Sequence, residues 1–502
     1  MTHADTAPRA VGFLGLGRYD ETNYQLGNRS DRSKFSPLAI AGLLDARNVT
    51  LLTTADAQQA HGEAIRRECE TRGIGLVFRE IPEGRTEADL RSQFRILRDE
   101  LMMERERPLA LDITLGFRAQ PFFSAATLAT LAAAEKLPTE TRLFYGAFDA
   151  RTDTTTPVWE LTSFLDMIRF AFAAALFRHS GDGRPLAEEL EAERRRIAER
   201  AKAGERGFAR SKVIRPLRVF SEDLAASRVA GLLVGTESQP ASAPELLEAI
   251  STWRSECNKD HPALEPILDD LIELCGRLAV SPEQRSSDGL AAPDARLAMA
   301  TLANWFFKSG RLTEAAAIAR EEIVNRMADT PTALHAGHSD FDEEGRRRAE
   351  RRASSASHVR GLLDWRNDLL HAGMRKTPQP GDRLARNVKT LVEQISRPPR
   401  TVIVSRHAGA LDWLCRRGFQ ADETKAHISD VEIGQLLPGD RVVGTLPPDS
   451  AARLCDRGVL CDILVVPTDP PDRGRELSAD ELEAAGAYIA RMRLTIEPLN
   501  EE

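Results

Sequence analysis

Arg366 and His371 stand five residues apart in LLDWRNDLLHAGM (362–374), a segment of helical pattern. A guanidinium and an imidazole are the two groups needed to cut RNA without a metal ion. The ribose 2′-hydroxyl must attack the adjacent phosphate, which calls for a proton carrier and for a cation facing the charge that builds on phosphorus. Five residues correspond to about 140° around a regular helix, so one helix does not aim both groups at one phosphate. Two-fold packing of a second copy would gather both pairs around a single cleft. The bare spacing is common, and a surface arginine with a histidine near a helix C-terminus satisfies it too.

Two further groupings have phosphate chemistry. In TVIVSRHAGALDWL (401–414) a β-prone run enters Ser405, Arg406 and His407, and Gly409 opens a helical pattern. Hydroxyl, guanidinium and imidazole at the carboxyl end of a strand, beside a helix N-terminus, form a phosphate site. Thr445 in GTLP (444–447) and Arg473, Arg475 and Glu476 in DRGREL (472–477) follow later strands of the same small unit. A staple between Glu476 and an arginine is the plain structural reading of that last loop.

Near the start, GLGRYDETNYQL (15–26) supplies Gly15 and Gly17, which let a ligand approach the backbone, and Thr22. The following helix could lend its N-terminus to a phosphate. Further on, DITLGFRAQPFF (112–123) offers Asp112, Thr114 and Arg118, with Gly116 for a tight turn. These groups suit a polyanion with ribose edges; otherwise Asp112 caps a turn and Arg118 pairs with it. A nicotinamide dinucleotide is disfavoured. Asp20 replaces the third glycine of the fingerprint, and no acidic residue ends the second strand about twenty residues on.

Strand and helix patterns must position these groups. Apolar β-type runs at 10–14, 48–54, 75–81, 108–113 and 142–148 alternate with amphipathic stretches around 37–45, 57–72, 87–104 and 121–136. That alternation predicts a parallel sheet with helices on both faces, whose ligands bind at the carboxyl ends of the strands. From about 160 to 395 strand signals vanish and Ala, Leu, Arg and Glu dominate. After Pro398-Pro399-Arg400, strands at 401–405, 441–446 and 461–467 alternate with helices near 408–418, 449–457 and 478–492. The expected fold class is therefore multidomain, α/β then all-α then α/β: residues 1–160, 161–397 and 398–502.

Bulk properties narrow the function. A chain of 502 residues suggests about three domains. A net charge of −8 argues against a general nucleic-acid coat or a membrane-surface protein, so any RNA site is local. Six scattered cysteines without CxxC pairs indicate neither a zinc site nor a disulfide scaffold, and suit a reducing cytoplasm. The N-terminal residues show no signal core, and FAFAAALF (170–177) is too short to span a bilayer. The arginine-rich run 192–206 is interspersed with glutamate and reads as a solvated helix face, whereas 343–360 is more basic and suits phosphate contact.

Three of these stretches, GLGRYDETNY, DITLGFR and FYGAFDARTDTTTPVWELTSFLD (144–166), together resemble the CRISPR-associated D-x-T-H-G-F-R family. The resemblance implies a Rossmann-like CARF sensor of cyclic oligoadenylates followed by a helical HEPN ribonuclease domain. Leu115 stands where that family usually has histidine, which argues for ligand binding over ligand cleavage in this domain. The ligand-binding groups it carries over are Gly15, Gly17, Thr22, Thr114, Gly116 and Arg118. LLDWRNDLLHAGM resembles the HEPN motif, with Arg366, Asn367 and His371 in the catalytic places, and NWFFKSGRLTEAAAIAREEIV (304–324) resembles the helix before it.

VSRHAGALDWL (404–414), PGDRVVGTLP (438–447) and RGRELSADEL (473–482) resemble a small CRISPR-associated ring-nuclease family, which linearises cyclic oligoadenylates. That implies ring cleavage by Ser405, Arg406 and His407, with Thr445, Arg473 and Arg475 binding the ring. The resulting expectation is a self-limiting ribonuclease of type III CRISPR defence. It would be cytoplasmic and at least a homodimer, with no cofactor, metal, membrane or DNA. Its activator and second substrate would be a cyclic oligoadenylate, the tetramer favoured over the hexamer, and its other substrate single-stranded RNA. Two alternatives remain at this level: a C-terminal unit that only binds the activator, and a nucleotide-sensing transcription regulator, which would need a basic recognition helix.

Overall fold

The computed structural model of the chain describes residues 7–494 except 117–118, 135, 139, 153, 203–210, 258–264, 357–364, 373, 375 and 468–474. It is a mixed α/β chain with one large sheet, one smaller sheet and many helices. It divides into two compact units, Met1–Ala175 and Leu176–Glu502. No helix among the described residues is long and apolar enough to cross a membrane.

The first unit is built on eight strands: β1 Arg9–Leu14, β2 Thr22–Leu26, β3 Arg29–Ser33, β4 Asn48–Thr53, β5 Gly75–Glu80, β6 Leu109–Asp112, β7 Thr141–Gly146 and β8 Thr155–Glu160. Their order is β3-β2-β8-β7-β6-β1-β4-β5. The five apolar runs of the sequence form the parallel block β7-β6-β1-β4-β5. β1 is buried along its whole length, as a strand covered on both faces must be. Its side chains alternate between two cores. Ala10 and Leu14 join Leu38, Ala57 and Ile65 on one face, while Val11 and Phe13 join Leu97, Leu128 and Leu131 on the other.

The helices begin where polar caps end the loops: Thr54 accepts from the Ala57 N–H, and Thr86 and Asp89 form a capping box. One feature differs from the sequence reading. The chain leaves the β1 loop into an antiparallel hairpin, β2–β3, before the helix Ser36–Leu43 begins. β3 reads RSDRS and carries no apolar residue, so it has no hydrophobic signal; its pairing with β2 and the Arg72–Asp31 ion pair hold it. β8 adds antiparallel to β7, and β2 lies parallel beside it.

In the second unit the helices Pro293–Lys308 and Leu312–Arg326 pack on one another and on Gly381–Ser396. The smaller sheet follows, with β9 Thr401–Val404, β10 Glu423–Lys425, β11 Arg441–Gly444, β12 Leu460–Val465 and β13 Tyr488–Met492 in the order β10-β9-β11-β12-β13. β13 is antiparallel to β12 and the rest are parallel. The helix expected over 478–492 covers only Ala479–Ala484. Gly486, with φ of +73°, turns the chain, and YIARM pairs with β12 as an edge strand.

The sheet is docked on the helices by buried charge. Asp440 is fully buried and accepts from the Arg400 N–H at 2.9 Å, the Leu437 N–H at 2.8 Å and the Arg397 guanidinium. Beside it, a Cβ at Gly439 would lie 2.3 Å from the Arg326 Cβ, so the loop approaches that helix too closely for a side chain. Arg326 is itself buried, bonded to Glu322 at 2.8 Å and to the Ile395 carbonyl at 2.6 Å. Asp440→Ala leaves two amides and a guanidinium without their acceptor. It is expected to destabilise the second unit by about 3 kcal/mol, read as an earlier urea midpoint for that unit's transition.

Candidate functional site

The large sheet reverses its strand order at β1, since β4 lies on one side and β6 on the other. The crevice outside the carboxyl ends of β1 and β6 is where ligands of such sheets bind. Two of the loops singled out from the sequence leave from that point. Gly15 lies buried at the end of β1, and Gly17 is exposed. Tyr19 locks this loop: its hydroxyl donates to the Gly15 carbonyl at 2.9 Å and accepts from the Gly15 N–H at 3.2 Å. A Cβ on Gly15 would meet the Leu115 carbonyl at 3.1 Å, so the two loops touch.

Asp112 ends β6 and organises the second loop. Its buried carboxylate accepts from Ser36 Oγ at 2.5 Å, from the Thr114 N–H at 2.9 Å and from Thr114 Oγ1. Burial outweighs these bonds and pushes the Asp112 carboxyl up to about 6. Thr114 Oγ1 also accepts from the Gly146 N–H at 2.7 Å, which ties the ends of β6 and β7 together. Gly116 follows, half-buried. Leu115 is buried in the core with Leu14 and Phe35, a position that an apolar side chain fills without an unpaired polar atom.

One expected ligand group is engaged internally, and another is outside the described residues. Thr22 is buried, and its hydroxyl shares a 2.9 Å hydrogen bond with that of Thr156, so it ties β2 to β8. Arg118 lies outside the described residues. Ser36 and Tyr19, the partners that fix the two loops, were not picked out from the sequence. Tyr19, two residues after Gly17, was the available signal; Ser36 becomes visible only once β6 is placed beside its helix.

In the second unit residues 365–370 are helical and His371 lies in the turn that follows. The His371 N–H donates to the Asn367 carbonyl at 3.0 Å, which carries the helical path one step further. Asp368 is buried and accepts from the Gln379 N–H at 2.9 Å, pinning this helix to the next loop. Arg366 and Asn367 are half-buried and His371 is exposed. None of the three side chains makes a hydrogen bond or ion pair to another described residue.

The smaller sheet brings its sequence-predicted groups together on one edge. Val404, Gly444 and Ile463 are neighbours across β9, β11 and β12, so the loops after these strands share that edge. Ser405 is buried; its hydroxyl accepts from the His407 N–H at 3.1 Å and shapes the turn into the helix Ala408–Arg416. Arg406, His407 and Thr445 are exposed around it. The Glu476 carboxylate accepts from the Ala408 N–H at 3.1 Å, and a Cβ on Gly409 would fall 2.0 Å from the Leu477 carbonyl. The 475–478 segment thus lies across the helix N-terminus, with a carboxylate on an amide that would suit a phosphate oxygen. Arg475 bonds Glu481 at 2.8 Å. Arg473 lies outside the described residues.

Comparison with known proteins fits this last part of the chain. Residues 402–495 match a family described as "Putative CRISPR-associated protein (Cas_VVA1548)", a stretch that contains Ser405, Arg406, His407 and Thr445. No curated protein matches the chain. Among solved structures, Enterococcus italicus Csm6 bound to cyclic hexa-2′-fluoro-hexa-dAMP is similar over 78% of this chain and 93% of its own. The identity is 10% and the TM-score 0.37, too loose a likeness to carry residue roles across.

The buried Asp112 makes the first unit sensitive to pH. Folding raises its pKa from 3.8 to about 6, so its contribution to stability is complete below the unfolded value and is lost as pH rises through about 6. Urea titrations at successive pH values should show the wild type losing stability relative to Asp112→Asn between about pH 4 and pH 6, with a constant gap above pH 7. A gap that does not change with pH would place the raised pKa elsewhere.

Proposed function

We propose that the chain is a CRISPR-associated ribonuclease switched on by a cyclic oligoadenylate, and that its last hundred residues degrade that activator. The observation that carries this reading is the edge of the smaller sheet. There Ser405, Arg406, His407 and Thr445 gather beside a helix N-terminus, within the stretch similar to a CRISPR-associated family. The crevice between β1 and β6, with its locked glycine loop and wired Thr114, supports a nucleotide sensor of the CARF kind. The resemblance of 362–374 to the HEPN motif supports RNA cleavage.

In this reading residues 1–160 bind the ring, 161–397 cut RNA and 398–502 remove the ring. Two copies of the chain bring both sets of Arg366 and His371 around one strand of RNA. The 2′-hydroxyl oxygen attacks phosphorus and its proton passes to a base. The bond to the 5′-oxygen breaks as that oxygen takes a proton from the protonated base or from water, leaving a 2′,3′-cyclic phosphate and a 5′-hydroxyl. His371 carries the proton and Arg366 faces the charge on the phosphoryl oxygens, while Asn367 orients the strand. Moving such a switch from mostly off to mostly on requires the activator to prefer the active state by about 5.5 kcal/mol. A ring with a phosphate for every nucleotide, held by two sensor domains, is suited to that task. Ring cleavage uses the same in-line chemistry, with Arg406 and His407 in the corresponding roles and Ser405 shaping the turn that presents them.

A progress curve tests the reading. A fluorogenic RNA is mixed with the chain, chelator and a limiting amount of cyclic tetra-adenylate or, separately, cyclic hexa-adenylate. One ring is expected to start a burst that plateaus with RNA still present, and fresh ring to restart it. His371→Ala should lower the burst rate by a factor of about 10² or more. Changing both Arg406 and His407 to Ala should keep the burst and abolish the plateau. No stimulation by either ring would sink the proposal.

A further inference from the structure

A strongly basic part of the second unit lies away from the Ser405 edge. A cavity of about 600 Å³ opens between the helix Glu343–Ser355 and the smaller sheet. It is bounded by the start of β12, at Gly458–Leu460, and by the end of the antiparallel β13. These positions mark the opposite edge of the sheet from Ser405 and Thr445.

Three elements turn arginines into this cavity, each by its own periodicity. Arg348, Arg351 and Arg352 lie on one face of the helix Glu343–Ser355, at i, i+3 and i+4. Arg453 and Arg457 are four apart on the helix Pro448–Asp456 and its C-terminal end. Arg491 and Arg493 are two apart on and just after β13. Among the described lining residues, the seven guanidinium groups are joined by one carboxylate, that of Asp456.

The inner arginines are held in place by carboxylates behind the wall. Asp329 takes two 2.8 Å bonds from Arg352 and pairs with Arg491 at 2.5 Å, and Asp462 takes Arg491 at 2.7 and 3.0 Å. The outer ones are exposed: Arg351 pairs with Glu344 and Arg453 with Asp430, each at 2.6 Å. Arg493 makes no ion pair with another described residue. Apolar side chains, Met327, Val459, Leu460 and Met492, fill the gaps between these cations. Planar guanidinium groups separated by apolar patches match alternating phosphates and bases, since arginine binds phosphate through a fork and stacks on ring faces. The net charge of the whole chain is −8, so this concentration of arginine is local and specific.

We propose that this cavity binds the phosphodiester backbone of single-stranded RNA and anchors the strand that the ribonuclease site cuts. The inference rests on the ribonuclease reading for the identity of the strand. Arg348, Arg351 and Arg352 belong to the helix that precedes residues 365–370 in the chain, so an anchored strand and the Arg366–His371 turn are served by neighbouring segments.

The test uses the full chain and a fluorescent oligouridylate with 2′-O-methyl riboses, which lack the attacking hydroxyl and cannot be cut. Anisotropy is followed across a salt series for the wild type and for a variant with Arg351, Arg453 and Arg493 each changed to Gln. Each lost phosphate contact lowers the salt slope by about 0.7, so the variant's slope should fall by about 2 and its affinity by roughly tenfold or more. Changing the same three residues to Lys should restore most of the slope. A second readout reports location without substitution. Cys455 lines the cavity and its thiol is held below the usual range by the neighbouring Cys461, so bound RNA should slow its alkylation by iodoacetamide.

Unchanged slope and unprotected Cys455 would overturn the assignment while leaving RNA cleavage standing. A lost slope in a chain that never cuts RNA would leave the cavity standing and remove the ribonuclease. Displacement of the probe by cyclic tetra-adenylate, at concentrations where unlabelled oligouridylate fails, would overturn it in favour of a ring-binding pocket.

Discussion

Parallel pairing places the carboxyl ends of neighbouring strands at one edge, and both sheets of this protein depend on that constraint. At the first, β1 and β6 end side by side, and a buried carboxylate turns the coincidence into a fixed site. Asp112 gathers Ser36 and Thr114, and Thr114 gathers Gly146, so two strands and a helix meet at one hydrogen-bonded knot. Such a network holds loops in place without filling the space beyond them. At the second sheet the knot is smaller. Ser405 shapes the turn, Glu476 holds the helix N-terminus, and the side chains of Arg406, His407 and Thr445 are left exposed.

The smaller sheet is fastened to the helices of its own unit rather than tethered beside them. Asp440 beneath Arg397, Gly439 against Arg326, and Asp329 shared by Arg352 and Arg491 form a continuous junction of buried or half-buried charge. Breaking one member of such a junction costs more than the pair contributes, because the partner remains buried. The same junction orders the arginine-lined cavity. Under the proposed function, the unit that cuts RNA and the unit that removes the activator are mechanically joined, and a ligand in the cavity would touch both.

Much of this was legible in the sequence, for physical reasons that can be located. The five runs that form β7, β6, β1, β4 and β5 were visible because parallel strands between helix layers are rich in apolar residues, most fully in β1, which is buried along its whole length. The edge strand β5 is largely exposed yet keeps Leu76, Val77 and Phe78 together. The hairpin β2–β3 was not: Tyr24 is buried but RSDRS has only polar side chains, and its stability comes from pairing and from Arg72. The last strand misled for a related reason, since an edge strand that carries Arg491 between Ala490 and Met492 lacks a clean alternation. Among the site residues, Thr114, Ser405 and His407 are at strand ends or the turns beyond them, and the patterns put them there. Thr22 is different, because the partner of its hydroxyl, Thr156, is 134 residues away and nothing local announces it. The arginine cavity was hidden likewise: its three contributing segments converge only through the antiparallel return of β13.

The central claim is that the last hundred residues destroy the molecule that the first hundred and sixty detect. The most direct measurement is to incubate the full chain with cyclic tetra-adenylate, without RNA and with chelator, and to resolve the nucleotide products by chromatography and mass spectrometry. The account predicts conversion of the ring to linear adenylates ending in a 2′,3′-cyclic phosphate. That conversion should persist in His371→Ala and be lost when Arg406 and His407 are both Ala. A ring recovered intact from the wild type, or one still opened by the double variant, would contradict it.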